Sequence, residues 1–185
     1  KIILVSTRAV LYWYRISSIP QPIQQIEYRN SRVKFIENLN NEVFENLLYK
    51  PPHDELGSLS DKRYFRRRYP DLKIIEGNLH KEIMRCGLFV VDHPNTTLNI
   101  ALAANIPTVC FWDKDVWPMD RQAEPYFHAL RNVGILFNNG KEAAEKVNEI
   151  WDDVVGWWEQ PHIQKAREEW CWQYARSSKY WRWEW

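Results

Sequence analysis

Gly87-Leu-Phe-Val-Val-Asp-His-Pro-Asn-Thr-Thr-Leu-Asn-Ile-Ala-Leu-Ala-Ala-Asn-Ile-Pro-Thr-Val-Cys-Phe-Trp112 is the stretch on which the fold turns. A continuous apolar run at 87–91 reads as a strand buried on both faces. Residues 92–97 are a polar turn, the alanine-rich segment 98–105 reads as a helix, and a second apolar run at 106–112 reads as the next strand. In a parallel α/β sheet, ligands bind in the crevice at the strands' C-terminal ends. The free N–H groups of a helix's first turn favour an anion there. The turn carries His93, Pro94, Asn95, Thr96 and Thr97, groups suited to a phosphate and a polar base or sugar. The competing account is that Asn or Thr simply caps the helix. Pro94 favours the ligand account, because it biases His93 away from helical geometry and presents the imidazole from a strand end.

The same alternation extends outward. Ile2–Val5 is a short apolar strand, followed by Ser6, Thr7 and Arg8 and then an aromatic loop with Tyr12, Trp13, Tyr14 and Arg15. Residues 32–46 read as one amphipathic helix, with Val33, Ile36, Leu39, Val43 and Leu47 at helical spacing. A strand at 46–49 ends in a turn holding Lys50, His53, Asp54 and Glu55. Further strands are expected at 73–75 and 134–137, the latter a short edge strand, and helices at 80–85, 123–130 and after Asn139-Gly140. Strands alternating with helices imply an α/β, Rossmann-like, mainly parallel sheet with helices on both faces. The expected division is a nucleotide-sugar-binding lobe at 1–150 and a Trp-rich helical extension at 151–185, packed on this lobe or on a missing one.

Composition narrows the classes. A net charge of +1 gives no bulk attraction to nucleic acid. Cys86, Cys110 and Cys171 form no Cys-x-x-Cys pair, which argues against a zinc knuckle or a disulfide framework and fits a reducing, cytoplasmic compartment. No apolar run approaches the ~20 residues that span a bilayer. The chain opens directly on a strand without an initiator Met, and the expectation is one lobe of a longer protein. Only 6 glycines occur and none forms Gly-x-Gly-x-x-Gly, so neither a dinucleotide fingerprint nor a P-loop is expected.

Because all strand C-termini of a parallel sheet share one edge, three polar clusters can converge on one crevice. These are Ser6-Thr7-Arg8, Lys50 with His53 and Asp54, and His93 with Asn95, Thr96 and Thr97. Asp113-Lys114-Asp115 has the Asp-x-Asp form of some metal-holding loops, but the simpler reading is a solvated turn. Arg63 to Arg68 could meet phosphates or a membrane face; a solvated surface is the simpler reading. The Trp-rich tail is expected to serve packing, since Trp170 and Tyr174 lie one helical turn apart.

The residues His93-Pro-Asn-Thr-Thr97, 101–108, Phe111-Trp-Asp113, 123–127 with Leu130, 134–136 and Trp157-Trp158 resemble a family of bacterial surface-polysaccharide transferases. That family is similar to the retaining β-Kdo transferases that build O-antigens and capsule linkers. The resemblance covers most of the chain from about Leu48 onward. It implies a two-lobed GT-B glycosyltransferase, with this chain as the C-terminal, donor-binding lobe. It implies a nucleotide-sugar donor such as CMP-Kdo and a glycan or glycolipid acceptor for lipopolysaccharide or capsule. The enzyme would be cytoplasmic, at the inner face of the membrane, with no metal required. Carried over, His93 and Pro94 contact the nucleotide, and Thr96 and Thr97 bind phosphate. Lys50, His53 and Asp54 line the cleft, and Lys50 stands where the family usually has Arg. Asn99 stands where many such enzymes have a sugar-binding Glu. Asp54 and Glu55 are candidate nucleophiles of a double displacement, and a carboxylate in the missing lobe is an equal alternative, so the nucleophile stays unassigned. A polyol-phosphate transferase, a sugar epimerase and a non-catalytic nucleotide- or glycan-binding module remain as alternatives.

Overall fold

The computed structural model describes residues 1–7, 20–52, 59–118, 120–178, 180 and 182. Arg8, the aromatic loop with Tyr12–Arg15, His53, Asp54, Glu55, Trp181, Trp183 and Trp185 lie outside the described residues. The described strands are β1 (Ile2–Val5), β2 (Leu47–Lys50), β3 (Lys73–Ile74), β4 (Leu88–Val91), β5 (Thr108–Phe111) and β6 (Leu136–Phe137). They form one sheet in the order β3-β2-β1-β4-β5-β6, and every pairing is parallel. The fold is therefore α/β and Rossmann-like, as the sequence pattern predicts, with β6 at one edge. β1, β4 and β5 are buried throughout, which is why they read as unbroken apolar runs and not as alternating ones.

The helices are α1 (Gln25–Glu37), α2 (Asn41–Glu45), α3 (Asp61–Arg68), α4 (Leu79–Ile83), α5 (Thr96–Ala103), α6 (Glu124–Asn132), α7 (Gly140–Ile150), α8 (Val154–Trp158) and α9 (Pro161–Tyr174). Consecutive strand residues point to opposite faces. Phe111 stacks on Phe35 of α1 at 5.3 Å, while Trp112 meets Phe127 of α6 edge-on at 5.9 Å. Helices thus cover both faces: α1 and α7 pack together, and α9 packs on α5 and α6. Trp170 of α9 lies 4.8 Å from both Phe127 and Tyr174, so this part of the Trp-rich segment packs on the sheet's own helices.

Two helices end alike. After α5, Asn105 takes the left-handed conformation (φ 54°), Ile106 N–H donates to the Ala101 carbonyl at 3.0 Å, and Asn105 N–H to Leu102 at 3.1 Å. After α6, Gly134 (φ 75°) does the same, with Ile135 N–H on Leu130 at 2.9 Å and Gly134 N–H on Arg131 at 3.1 Å. Such endings satisfy the last carbonyls and turn the chain sharply into the next strand. Asn105 is also held from outside, because its side-chain oxygen accepts from Trp158 Nε1 at 2.9 Å.

The expectation of one helix over residues 32–46 is corrected. α1 starts earlier and ends at Glu37, α2 is a separate short helix, and Leu47 opens β2. The apolar spacing runs through both helices and hides the break, which tertiary contact fixes. Asn148 of α7 reaches both sides of it, accepting from Asn40 N–H at 2.9 Å and donating to the Asn38 carbonyl at 2.8 Å. α5 likewise begins at Thr96, two residues before the apolar helical run.

The α1–α7 contact needs a glycine. Gly140 N–H donates to Ser31 Oγ at 2.9 Å, and a Cβ at Gly140 would collide with the Ser31 backbone carbonyl. Backbone cannot yield as a flexible side chain can. Gly140→Ala is expected to destabilise the protein by about 1–3 kcal/mol, the range for overpacking. A lower urea midpoint at unchanged slope is the readout.

Candidate functional site

The order of strands places β1 and β4 side by side, although the chain runs from β1 to β2 and β3 before returning to β4. The switch in direction opens a crevice between their C-terminal ends, where crossover helices leave to opposite faces. Val5 is in register with Lys50 on one side and Val91 on the other. The next residues, Ser6 and Thr7 after β1 and Asp92 and His93 after β4, therefore stand at the crevice. Adjacent strands lie about 4.8 Å apart, so these groups are within reach of one ligand.

Thr7 N–H donates to Asp92 Oδ1 at 3.0 Å, closing the base of the crevice across 85 residues of sequence. His93 is only 4% exposed, and its Nδ1 lies 2.8 Å from the same Asp92 oxygen. The pair is thus a carboxylate–imidazole dyad whose other ring nitrogen, Nε2, is turned away from the carboxylate. Ser6 is buried at the end of β1. Lys50, at the end of β2, is 8% exposed, with no ion pair within 4.0 Å among the described residues. Its charge reaches Glu76 only at longer range, among the lesser influences that lower that carboxyl. A lysine so buried without a close carboxylate favours an anionic partner.

Pro94 and Thr97 are half-buried, and Asn95 and Thr96 are exposed, at the start of α5. The Asn95 side chain makes no cap hydrogen bond. Capping by this side chain, the bland account of the turn, is not what the turn does. Asn99 sits one turn further in, and its side-chain oxygen accepts from Trp170 Nε1 at 3.0 Å, which ties it to α9. Arg8, His53, Asp54 and Glu55 fall outside the described residues. Asp113 and Asp115 form an exposed turn in which Asp113 Oδ1 accepts from Asp115 N–H at 2.8 Å. Arg63, Arg66, Arg67 and Arg68 are exposed on α3, and Arg68 pairs with Glu37 at 2.6 Å.

Sequence reasoning missed the charges beneath the crevice. Arg32 of α1 is fully buried and bridges Asp61 and Asp92, with its Nε 3.2 Å from Asp92 Oδ2. Arg29 pairs with the other oxygen of Asp61 at 2.7 Å. Burial works against the Arg32 charge, but Asp61, with Tyr49 and Asp92, more than offsets it, and the guanidinium's pKa is raised. The Tyr28 hydroxyl donates to the Asp92 backbone carbonyl, and burial followed by the Asp92 charge pushes its pKa well up. The available signal was a charged residue inside an apolar helical stripe: Tyr28, Arg32 and Phe35 share one face of α1. Tyr28 also lines a groove of about 480 Å³ between α1 and the loops after β5 and β6, with Val33, Lys34, Asp113 and Asn139 on its walls.

A family model described as LIC12162 family transferase matches residues 1–185, so the chain belongs to that family and its reaction class is group transfer. No curated protein and no solved structure matches it. Some transferases use a cysteine nucleophile, and this one is poorly equipped for that. Burial pushes the Cys86 thiol up to about 11 and raises those of Cys110 and Cys171 as well. The thiolate is the reactive form, so thiol reagents at mildly alkaline pH should label native Cys86 roughly 100-fold more slowly than a free thiol. The rate should climb as pH approaches 11 and match the free thiol after denaturation, as followed site by site by mass spectrometry.

Proposed function

We propose that this member of the LIC12162 transferase family is a glycosyltransferase that binds a nucleotide-sugar at the β1–β4 crevice and transfers the sugar to a cell-surface glycan or glycolipid. The observation that carries the reading is Lys50, 8% exposed at the end of β2, with β1 between it and the strand that carries the Asp92–His93 dyad, and without an ion-pair partner among the described residues. A phosphate diester seated there would meet two kinds of donor, the Lys50 ammonium and the backbone N–H groups that open α5, while the His93 Nε2 lone pair would accept from a base amino group or ribose hydroxyl of the same nucleotide. Leaving-group charge develops on that phosphate as the sugar departs, and fixed donors aimed at it contribute most to such catalysis.

In this reading residues 1–150 are the donor-binding lobe of a GT-B enzyme and residues 151–185 brace it, with α9 holding Asn99 of α5 through Trp170. A CMP-sugar, Kdo among the candidates, fits the His93-Pro94 pair by the family resemblance. A retaining route needs a carboxylate to attack the anomeric carbon as the CMP phosphate leaves, after which the acceptor hydroxyl displaces it. Asp54 and Glu55 are the candidates for that attack. Work on the glycolipid acceptor would place the enzyme at the inner face of the membrane; among the described residues no helix is long and apolar enough to cross it.

Calorimetry with CMP, UDP and GDP tests the proposal. Saturable binding is expected for CMP, weakened roughly 10- to 100-fold by Lys50→Ala, the worth of one hydrogen bond to a charged group, and about 3- to 10-fold by His93→Ala, the worth of a neutral one. The absence of saturable binding by all three nucleotides would sink it. Binding without sugar transfer in the presence of donor and acceptor would favour a binding module instead.

A further inference from the structure

We propose that Arg32 is a positioning residue: through Asp92 it holds His93 in one tautomer with Nε2 presented at the crevice, and through Asp61 it makes that presentation depend on the docking of α3. The consequence for nucleotide binding rests on the function proposed above, whereas the tautomer does not.

The two oxygens of Asp92 have different partners. Oδ2 faces Arg32 Nε at 3.2 Å, and Oδ1 receives Thr7 N–H at 3.0 Å and His93 Nδ1 at 2.8 Å. Oδ1 is thus held by two hydrogen bonds, while Oδ2, which makes no hydrogen bond among the described residues, is held by the charge of the guanidinium. Ionised beside the guanidinium, the carboxylate can only accept hydrogen bonds. His93 Nδ1 must then carry the proton of their shared bond. In a neutral ring that leaves the Nε2 lone pair as the group offered to the crevice.

Asp61 is occupied in the same way. One oxygen pairs with Arg29 at 2.7 Å and the other with Arg32, and the residue has no exposed surface. Arg29 and Arg32 stand one turn apart on α1, and the Arg29 guanidinium also lies 4.5 Å from the Tyr64 ring centroid of α3. The first residue of α3 is thus clamped onto α1 by the arginine that orients Asp92. The connection runs from α3 through Asp61, Arg32 and Asp92 to His93, and links the segment after β2 to the turn after β4.

Stability alone is a poor reason for this cluster. A buried ion pair is often no more stabilising than apolar residues of the same volume, while its geometry is strict. The cluster lies at the crevice edge of the sheet, next to the ring that it orients, and Arg32 Nε, Arg32 Nη2 and Asp92 Oδ2 have no hydrogen-bond partner among the described residues, so Arg32 acts on Asp92 through charge. A histidine's outer partner commonly fixes its tautomer and orientation in this manner.

Long-range ¹H–¹⁵N correlation spectra of the full chain, recorded in mildly alkaline buffer where imidazoles are neutral, report ring tautomers directly. The unaltered protein should show His93 as the Nδ1–H tautomer alone. Arg32→Lys keeps the charge but loses the planar fork that spans both carboxylates. Asp61→Asn removes the charge that anchors Arg32 to α3. In each variant the two His93 nitrogen shifts should converge toward those of a freely exchanging ring, and CMP affinity should fall roughly tenfold, as for loss of a histidine's outer partner. Trp158→Phe, which removes the bond to Asn105 at the far end of α5 and touches no residue of the cluster, should leave the His93 tautomer unchanged. If one of the two cluster variants fails to fold, the other decides. A mixed tautomer in the unaltered protein overturns the proposal. So does an unchanged pattern in a folded cluster variant, or an equal change in Trp158→Phe. If CMP does not bind at all, the function proposed above fails, while the spectra still decide the role of Arg32.

Discussion

A guanidinium without exposed surface lies between two buried carboxylates, and the crevice edge of the sheet is organised around that charge. Arg32 cannot be left unpaired at that depth; breaking a buried pair by removing one partner costs about 3–5 kcal/mol. α1 must therefore lie where Arg32 meets Asp61 at the start of α3 and Asp92 after β4. Asp92 in turn fixes Thr7 and His93. Elements that are distant in sequence are brought together at one edge by a single side chain, and the polar groups of that edge inherit their orientation from it.

The apolar framework serves the same end. β1, β4 and β5 are buried on both faces, so their backbones are fixed by helices above and below, and the residues just past their ends have little freedom. The left-handed endings at Asn105 and Gly134 return the chain tightly into β5 and β6, and Trp158 secures the first of them from α8. α8 and α9 thus act on the sheet indirectly, by bracing α5 and α6, whereas α7 packs on β5 and β6 directly. The clash that any side chain at Gly140 would meet shows how closely α7 approaches α1, the helix that carries Arg32.

Some of the candidate site was readable from local chemistry. His93-Pro94 and the turn after β4, Ser6 and Thr7 after β1, and Lys50 after β2 were all legible as polar groups following apolar runs, and the register of β1 with β2 and β4 brings them together. Asn99 was legible as a polar residue near the same turn, but its partner Trp170 lies 71 residues away and no local pattern announces it. The break between α1 and α2 was hidden for a similar reason: Asn148 imposes it from α7. Arg32 was read as the start of a helix, because a charge in an apolar stripe looks like a boundary until its partners are known.

The sequence by itself determined the elements and the class of fold, because apolar runs and helical spacing are local properties that burial and backbone geometry translate directly into strands and helices. It also determined that polar groups follow three strands, which in a parallel sheet must share an edge. Only the tertiary structure decided that β1 pairs with β4, that Arg32 is buried between Asp61 and Asp92, and that the Asp92 carboxylate serves Thr7, Arg32 and His93 together. These are pairings across long loops, and their energies depend on burial and on charges that meet only once the chain has folded.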